Sequence, residues 1–149
     1  MRVLKKIVPY VHRVQYYETD KMGIVHHSNY IRWFEEARID MLGQLGIGFD
    51  KIEARGIMSP ILSVDCRYLQ PVRFGEDVVI TSELTEFNGI RCTIQYEIRG
   101  KDDDELRTKG NTCLAFLKSD GTILRMKKEH PDIYETLKNQ IRKEKSVTS

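Results

Sequence analysis

A short polar segment near the N-terminus contains side chains that could act on a carbonyl group. The acidic residues Glu18 and Asp20 precede Gly23, and the pair His26 and His27 follows it. A carboxylate in such a segment can attack a carbonyl carbon or activate a water molecule that does so. An Asp beside a tight turn also has a structural explanation, because its side chain caps backbone N–H groups. The residue types alone leave both interpretations of Asp20 open.

A long helix is predicted directly after this segment. It begins near Ser28 or Asn29, both good N-cap residues, and Gly46 and Gly48 are predicted to end it. Apolar residues recur along it at three- and four-residue spacing: Tyr30, Trp33, Phe34, Ala37, Met41 and Leu45. The N-terminus of a helix presents unpaired N–H groups and a partial positive charge, so it can stabilise an oxyanion. A carboxylate facing that N-terminus would suit hydrolysis of an activated carbonyl.

Other kinds of site have less support in the sequence. The remaining histidines, His12 and His130, form no spacing typical of a metal site, so none is predicted. The three cysteines lack a C-x-x-C pair and are predicted to be buried free thiols in a reducing compartment: Cys66, Cys92 and Cys113. The chain has no phosphate-binding loop, dinucleotide fingerprint or G-x-S-x-G motif. We therefore expect no cofactor.

The elements around the polar segment predict an α+β fold. A short strand is predicted over residues 13–18, with Val14 and Tyr16 on one face, and a weaker helix over residues 49–54. Alternating patterns then predict strands over residues 61–69, 78–86, 90–99 and 106–118, with a tight hairpin at Asn88-Gly89. A last helix begins after His130. Successive strands joined by short turns indicate an antiparallel β-sheet, and wrapping it around one long central helix gives the hotdog arrangement.

Composition narrows the class of protein further. The 149 residues suit one domain, predicted as 1–149 with a core of about 10–135 and a C-terminal helix and basic tail after 130. The 24 basic and 22 acidic residues are too balanced to indicate a nucleic-acid partner. No apolar run approaches the roughly 18 residues of a membrane span, and the N-terminus lacks the features of a signal peptide. We expect a soluble, cytoplasmic protein.

Residues 16–30 closely resemble a signature of hotdog-fold acyl-CoA thioesterases. The similarity is to the 4-hydroxybenzoyl-CoA thioesterase-like group, in its bacterial acyl-CoA thioester hydrolase branch. Asp20, Gly23, the His26-His27 pair and Asn29-Tyr30 keep the spacing of that signature. Residues 33–38 and 68–77 continue the resemblance. It implies a hotdog fold and hydrolysis of acyl-CoA thioesters to free acid and coenzyme A, which is part of the substrate and not a cofactor.

The resemblance also implies roles for particular residues. Asp20 would be the catalytic carboxylate, as nucleophile or general base, and the backbone N–H of His27 would polarise the thioester oxygen. The residues expected to bind substrate are Gly23, Ile24, Val25, Asn29 and Tyr30. Proteins of this family dimerise through their sheets and often pair again, with the active site at the dimer interface. We therefore expect a homodimer or homotetramer acting on an acyl-CoA or acyl carrier protein thioester.

Two alternative functions share the expected fold. One is a non-catalytic module that binds acyl-CoA or an acyl carrier, such as the sensing domain of a regulator. About twelve residues precede the first predicted strand, too few for an added DNA-binding segment. The other is a hotdog dehydratase or hydratase, whose His and helix carboxylate occur in a different motif that is absent here. Release of a thiol from an acyl-CoA would separate a thioesterase from both.

Overall fold

A computed structural model describes residues 5–141 of the chain. Its helices are α1 (Ser28–Gln44), α2 (Phe49–Ala54), α3 (Met126–Glu129) and α4 (Pro131–Gln140). Its strands are β1 (Tyr10–Arg13), β2 (Ile57–Met58), β3 (Ile61–Tyr68), β4 (Asp77–Phe87), β5 (Arg91–Gly100), β6 (Leu106–Ala115) and β7 (Leu117–Lys118). A single 3-10 turn, Tyr16–Glu18, precedes α1. The order of elements is that of an α+β protein.

The main sheet is antiparallel and wraps one long helix. Its strand order is β1-β4-β5-β6-β3, while β2 and β7 form a separate two-stranded ribbon. One face of the sheet packs into the core. In β5, the alternating residues on that face are all buried: Cys92, Ile94, Tyr96 and Ile98. Helix α1 supplies Trp33 and Phe34 to the same core, and the Phe34 ring stacks on that of Tyr96 with centroids 4.4 Å apart. The predicted hotdog arrangement is confirmed.

The close approach of α1 to the sheet depends on Gly110 in the middle of β6. A Cβ atom at this position would lie 2.5 Å from Cε2 of Phe34 and 2.6 Å from the carbonyl oxygen of Asp65. Both distances are well inside van der Waals contact, so only glycine fits between the helix and the neighbouring strand. Helix α1 can therefore pack directly against the sheet at Gly110.

Several local predictions are confirmed by the described residues. Helix α1 begins at Ser28, α2 spans the predicted residues, and α4 has Pro131 in its first turn. The hairpin at Asn88-Gly89 joins β4 to β5, and the Asn88 side chain accepts hydrogen bonds from the N–H groups of Ile90 and Arg91. The predicted basic tail lies outside the described residues.

Three local predictions are wrong. Residues 13–18 do not form a strand: β1 ends at Arg13 and a 3-10 turn follows, because the Glu18 carboxylate accepts the N–H of Gln15 and closes that turn. As a result, Val14 is 1% exposed whereas Tyr16 is 77% exposed, so they share no face. The strand predicted over 106–118 is broken after Ala115, where β7 leaves to pair with β2. Of the three cysteines, only Cys92 is fully buried.

Candidate active site

The polar segment folds into a small hairpin between β1 and α1. Thr19 and Val25 form a bridge, the Asp20 N–H donates to the Ile24 carbonyl at 2.9 Å, and the Gly23 N–H donates to the Asp20 carbonyl at 3.0 Å. Gly23 has a φ of +78°, in the left-handed region that glycine adopts at little cost. The turn of this hairpin therefore requires Gly23 and places Asp20 beside it.

The Asp20 carboxylate is half-buried and has a structural partner on one side. Its Oδ1 accepts the backbone N–H of Met22 at 2.8 Å, which is an Asx-type turn. Its other oxygen, Oδ2, accepts no hydrogen bond from residues 5–141. Asp20 therefore has the structural role expected of an Asp in a turn. Its Oδ2 is available for an interaction with a substrate or a water molecule.

At the N-terminus of α1, one backbone N–H has no acceptor among the residues that the structure describes. The Ser28 N–H donates to Nδ1 of His26 at 3.2 Å, and the Asn29 N–H donates to the His26 carbonyl at 3.0 Å. The N–H groups of His26 and Tyr30 also have acceptors. Between His26 and Tyr30, only the His27 N–H finds no acceptor within the described part of the chain. Such a donor at a helix N-terminus can stabilise a developing oxyanion.

The His27 imidazole is exposed and lies in an aromatic cluster. It stacks on His26 with ring centroids 4.3 Å apart and meets Tyr68 edge-on at 6.3 Å. The Tyr68 hydroxyl donates to the His27 carbonyl at 3.3 Å. Burial, together with a hydrogen bond to Cys66, raises the pKa of Tyr68 to about 12. Tyr68 therefore stays protonated at neutral pH and serves as a donor that covers the first turn of α1.

The remaining residues predicted to bind substrate are only partly accessible. Ile24 is half-buried and bridged to Arg73, and Val25 is buried with its N–H donating to the Val72 carbonyl at 2.8 Å. The Asn29 side chain is buried and donates to the carbonyls of Glu18 and His26 at 2.9 and 3.2 Å. Tyr30 is buried, which raises its pKa to about 12. The hairpin and α1 bring these residues and Asp20 together, and their contacts with substrate stay a prediction.

Sequence reasoning did not predict two contacts that shape this region. Tyr68 comes from β3, far along the chain, and its ring centroid lies 5.1 Å from that of Tyr30. The Glu18 carboxylate is buried and accepts the indole N–H of Trp33 at 2.8 Å. A buried acidic residue among polar neighbours leaves no periodic signal, and a strand that arrives from elsewhere can be placed only in three dimensions.

The described residues give no support for a cysteine nucleophile or a metal site. Burial raises the pKa of the Cys92 thiol to about 12 and raises that of Cys66 as well, so neither is an activated nucleophile. In the described range, no three His, Cys, Asp or Glu side chains are grouped to hold a metal ion. No helix between residues 5 and 141 is long and apolar enough to cross a membrane.

Comparison with known proteins places this geometry in a family. Residues 14–141 match the family described as the Thioesterase-like superfamily. A Bacillus subtilis protein provisionally named the acyl-CoA thioesterase YneP is 35% identical over 98 residues, which are 66% of this chain and 68% of that protein. The acyl-CoA thioester hydrolase YbgC of Escherichia coli is 29% identical over 77 residues, or 52% of this chain and 58% of YbgC.

Solved structures agree with the sequence comparison. The crystal structure of a DHNA-CoA thioesterase from Staphylococcus aureus superposes with a TM-score of 0.83 at 32% identity, covering 88% of each chain. The family match spans most of the chain and includes both the Asp20 hairpin and α1. The chain therefore belongs to the Thioesterase-like superfamily and has its hotdog fold.

Proposed function

We propose that the protein hydrolyses acyl-CoA thioesters to a free acid and coenzyme A, with Asp20 as the catalytic carboxylate. The observation that carries this proposal is a pair of groups that have no hydrogen-bond partner among residues 5–141: Oδ2 of Asp20 and the His27 N–H at a helix N-terminus. The family supports the same activity, since relatives of this chain carry the names acyl-CoA thioesterase and acyl-CoA thioester hydrolase.

The hairpin sets the separation of the two groups. Paired positions across it are Asp20 with Ile24 and Thr19 with Val25, and the His26 N–H donates to the Glu18 carbonyl. His27 follows directly after these pairings as the N-cap of α1, so the hairpin bonds the Asp20 turn and the start of α1 into one local unit. The chemistry requires a thioester whose carbonyl carbon comes within about 3 Å of the Asp20 carboxylate while its oxygen lies about 3 Å from the His27 N–H.

Two routes use this arrangement. In one, a carboxylate oxygen of Asp20 bonds to the acyl carbon, the C–S bond breaks, and coenzyme A leaves as a thiolate; water then hydrolyses the acyl-Asp20 anhydride. In the other, Asp20 takes a proton from water while the hydroxyl oxygen bonds to the acyl carbon and the thiolate leaves. The negative charge on the carbonyl oxygen is held by the His27 N–H in both routes. A thiol with a pKa of about 8.5 needs little help to leave.

The proposed working form is a homodimer, or a homotetramer in which two dimers pair. Strand β3 is an edge of the main sheet, and its residues Ile61, Leu62, Val64 and Tyr68 are 39% to 49% exposed. Long apolar edge strands are templates for pairing with another chain. Ile31 and Ile39 on α1 are also exposed. Pairing of two β3 strands would cover these apolar side chains and bring a second copy beside the His27 end of α1.

The proposed place of action is the cytoplasm. Its support is that Cys66, Cys92 and Cys113 are all free thiols, as expected in a reducing compartment.

Thiol release from acyl-CoA, followed with a thiol reagent, tests the activity and the role of Asp20. We expect Asp20→Asn to lower kcat at least about a hundredfold, because Asn keeps the size and the turn hydrogen bond but loses the charge. The matched control is Asp120→Asn, since Asp120 caps the Thr122 N–H in the same kind of turn at 2.9 Å. Asp120→Asn should keep wild-type kcat. A fully active Asp20→Asn variant would show that Asp20 has only a structural role in the turn.

A further inference from the structure

Glu18 is a buried carboxylate that the proposed chemistry does not use. The residue is 5% exposed, and both oxygens of its carboxylate accept hydrogen bonds. Oε1 accepts from Nε2 of His12 at 2.9 Å and from the Gln15 N–H at 2.8 Å, while Oε2 accepts from Nε1 of Trp33 at 2.8 Å. Three donors from β1, the 3-10 turn and α1 therefore meet on one side chain. Burying a carboxylate is costly, so its position suggests a purpose beyond filling the core.

The backbone of Glu18 is held by the same helix as its side chain. The Glu18 carbonyl accepts from Nδ2 of Asn29 at 2.9 Å and from the His26 N–H at 2.9 Å. Asn29 and Trp33 are four residues apart on α1, so they lie on one face of the helix. One donor holds the Glu18 main chain and the other holds its carboxylate. Helix α1 therefore holds Glu18 by two hydrogen bonds, one to its main chain and one to its carboxylate.

This double contact controls where the Asp20 turn sits. Asp20 is two residues beyond Glu18 and belongs to the hairpin closed by the Thr19–Val25 bridge. The hairpin is short and tightly bonded, so it moves with Glu18. The His27 N–H, which has no acceptor among residues 5–141, lies at the N-cap of α1, the helix that contacts Glu18. Glu18 therefore sets the distance between the carboxylate and the donor that would act on one thioester.

We propose that Glu18 is a positioning residue that holds the Asp20 turn against α1, so that hydrolysis depends on its hydrogen bond to Trp33. This inference rests on the proposed role of Asp20. A displacement of about 1 Å between reacting groups can cost a hundredfold in rate. Binding of the substrate would be affected much less, because Glu18 is buried and does not line a path to solvent.

Glu18→Gln tests the contact with little change in size. The amide oxygen would keep the donors His12 and Gln15, and the amide N–H2 would then face the indole N–H of Trp33. Two donors cannot bond, so the side-chain contact with α1 is lost, whereas the main-chain hydrogen bond from Asn29 remains. We expect kcat to fall about tenfold to a hundredfold, within the range for misplaced catalytic groups, with KM changed less than about threefold. Trp33 is the only tryptophan, so its emission spectrum reports the broken contact directly.

Trp33→Phe removes the same hydrogen bond from the other side. The positioning role predicts that Trp33→Phe and the double variant each lower kcat to the level of Glu18→Gln, because one contact cannot be lost twice. The matched control is Glu36→Gln. The Glu36 carboxylate also faces His12, with 3.5 Å between the nearest atoms, and accepts the Tyr10 hydroxyl at 2.8 Å, but it does not contact the hairpin. This variant should keep wild-type kcat.

The readout is kcat per mole of folded protein, measured below the melting temperature of each variant. Should Glu18→Gln fail to fold, Trp33→Phe alone decides the question. Wild-type kcat in the folded Glu18→Gln or Trp33→Phe variant, with Asp20→Asn inactive, would overturn the positioning role and leave the proposed function intact. Full activity in Asp20→Asn would instead overturn the role of Asp20 and this inference with it.

Discussion

At the scale of single residues, the two oxygens of Asp20 have different surroundings. Oδ1 fixes the turn through the Met22 N–H, and Oδ2 accepts no hydrogen bond from the described residues. The structural and the chemical interpretations of this Asp are therefore compatible. The turn holds the carboxylate in place, and a carboxylate that is held in place loses less entropy when it acts.

His27 presents a sharper choice, between its backbone N–H and its imidazole. The imidazole is exposed and stacked on His26, with no carboxylate bonded to it in the described structure. We expect His27→Ala to lower kcat about tenfold or less and to keep the wild-type pH profile, because the backbone donor survives the substitution. General acid–base help would be worth about 10²–10⁴-fold. A loss on the order of a thousandfold, or disappearance of one limb of the pH–rate profile, would show that the imidazole is catalytic.

Glu18 predicts how stability changes in acid. Burial would raise its pKa, but the hydrogen bonds from Gln15, His12 and Trp33 outweigh burial and lower it below the ordinary value. A carboxyl group with a depressed pKa in the folded state stabilises the fold above its unfolded pKa of about 4.3, and this stabilisation is lost as pH falls through the folded pKa.

Urea unfolding at a series of pH values measures this effect. Between about pH 6 and pH 3, the free energy of unfolding should fall more steeply for the wild type than for Glu18→Gln, which has no proton to take up. Glu36→Gln again provides the comparison, since the Glu36 carboxylate is more exposed than that of Glu18. Equal slopes for the wild type and Glu18→Gln would show that Glu18 contributes nothing to acid stability.

At the scale of elements, patterns that repeat along the chain were sufficient to predict α1 and the long strands. The apolar stripe of α1 and the alternation in β5 are each buried as their periods require. The 3-10 turn at Tyr16–Glu18 was missed because a side chain, that of Glu18, closes it. The ribbon of β2 and β7 was missed because two-residue strands are too short to show a period.

Glycine positions in α1 and β6 have opposite expected effects on stability. Gly110→Ala should destabilise the protein by about 1–3 kcal/mol or more, because the new methyl group overlaps Phe34 and the β3 backbone. Gly43→Ala should stabilise it by about 0.5–1 kcal/mol, since Gly43 is exposed in α1 and a Cβ there meets nothing within 4 Å. Thermal unfolding of both variants checks these signs. A Gly110→Ala variant as stable as wild type would mean that α1 can move away from the sheet freely.

At the scale of the whole molecule, the sequence predicts a candidate site but not the long-range contact that covers it. Asp20, Gly23 and His27 lie within eight residues, so a local motif and a helix start were enough to propose them as a candidate site. Tyr68 reaches the His27 carbonyl from β3, and this contact depends on the strand order that puts β3 beside β6 at the sheet edge. Long-range register of this kind has no local signal in one sequence.

The exposed edge of β3 leads to the last prediction, on assembly. We expect the wild type to have at least twice the mass of one chain by light scattering at micromolar concentration. Val64→Lys should shift it to the mass of one chain, because Val64 is 39% exposed on β3 and a charge there would be buried by a second copy. The isolated chain should still fold, since Lys can reach solvent.

Ile123→Lys is the matched control for this prediction, because Ile123 is 64% exposed but lies outside the main sheet. This control should keep the mass and kcat of the wild type. If dimerisation completes the active site, Val64→Lys should lose kcat together with mass, and both should recover at high protein concentration as mass action restores the dimer. A monomeric wild type with full activity would show instead that one chain contains the whole site, with the apolar side chains of β3 exposed to solvent.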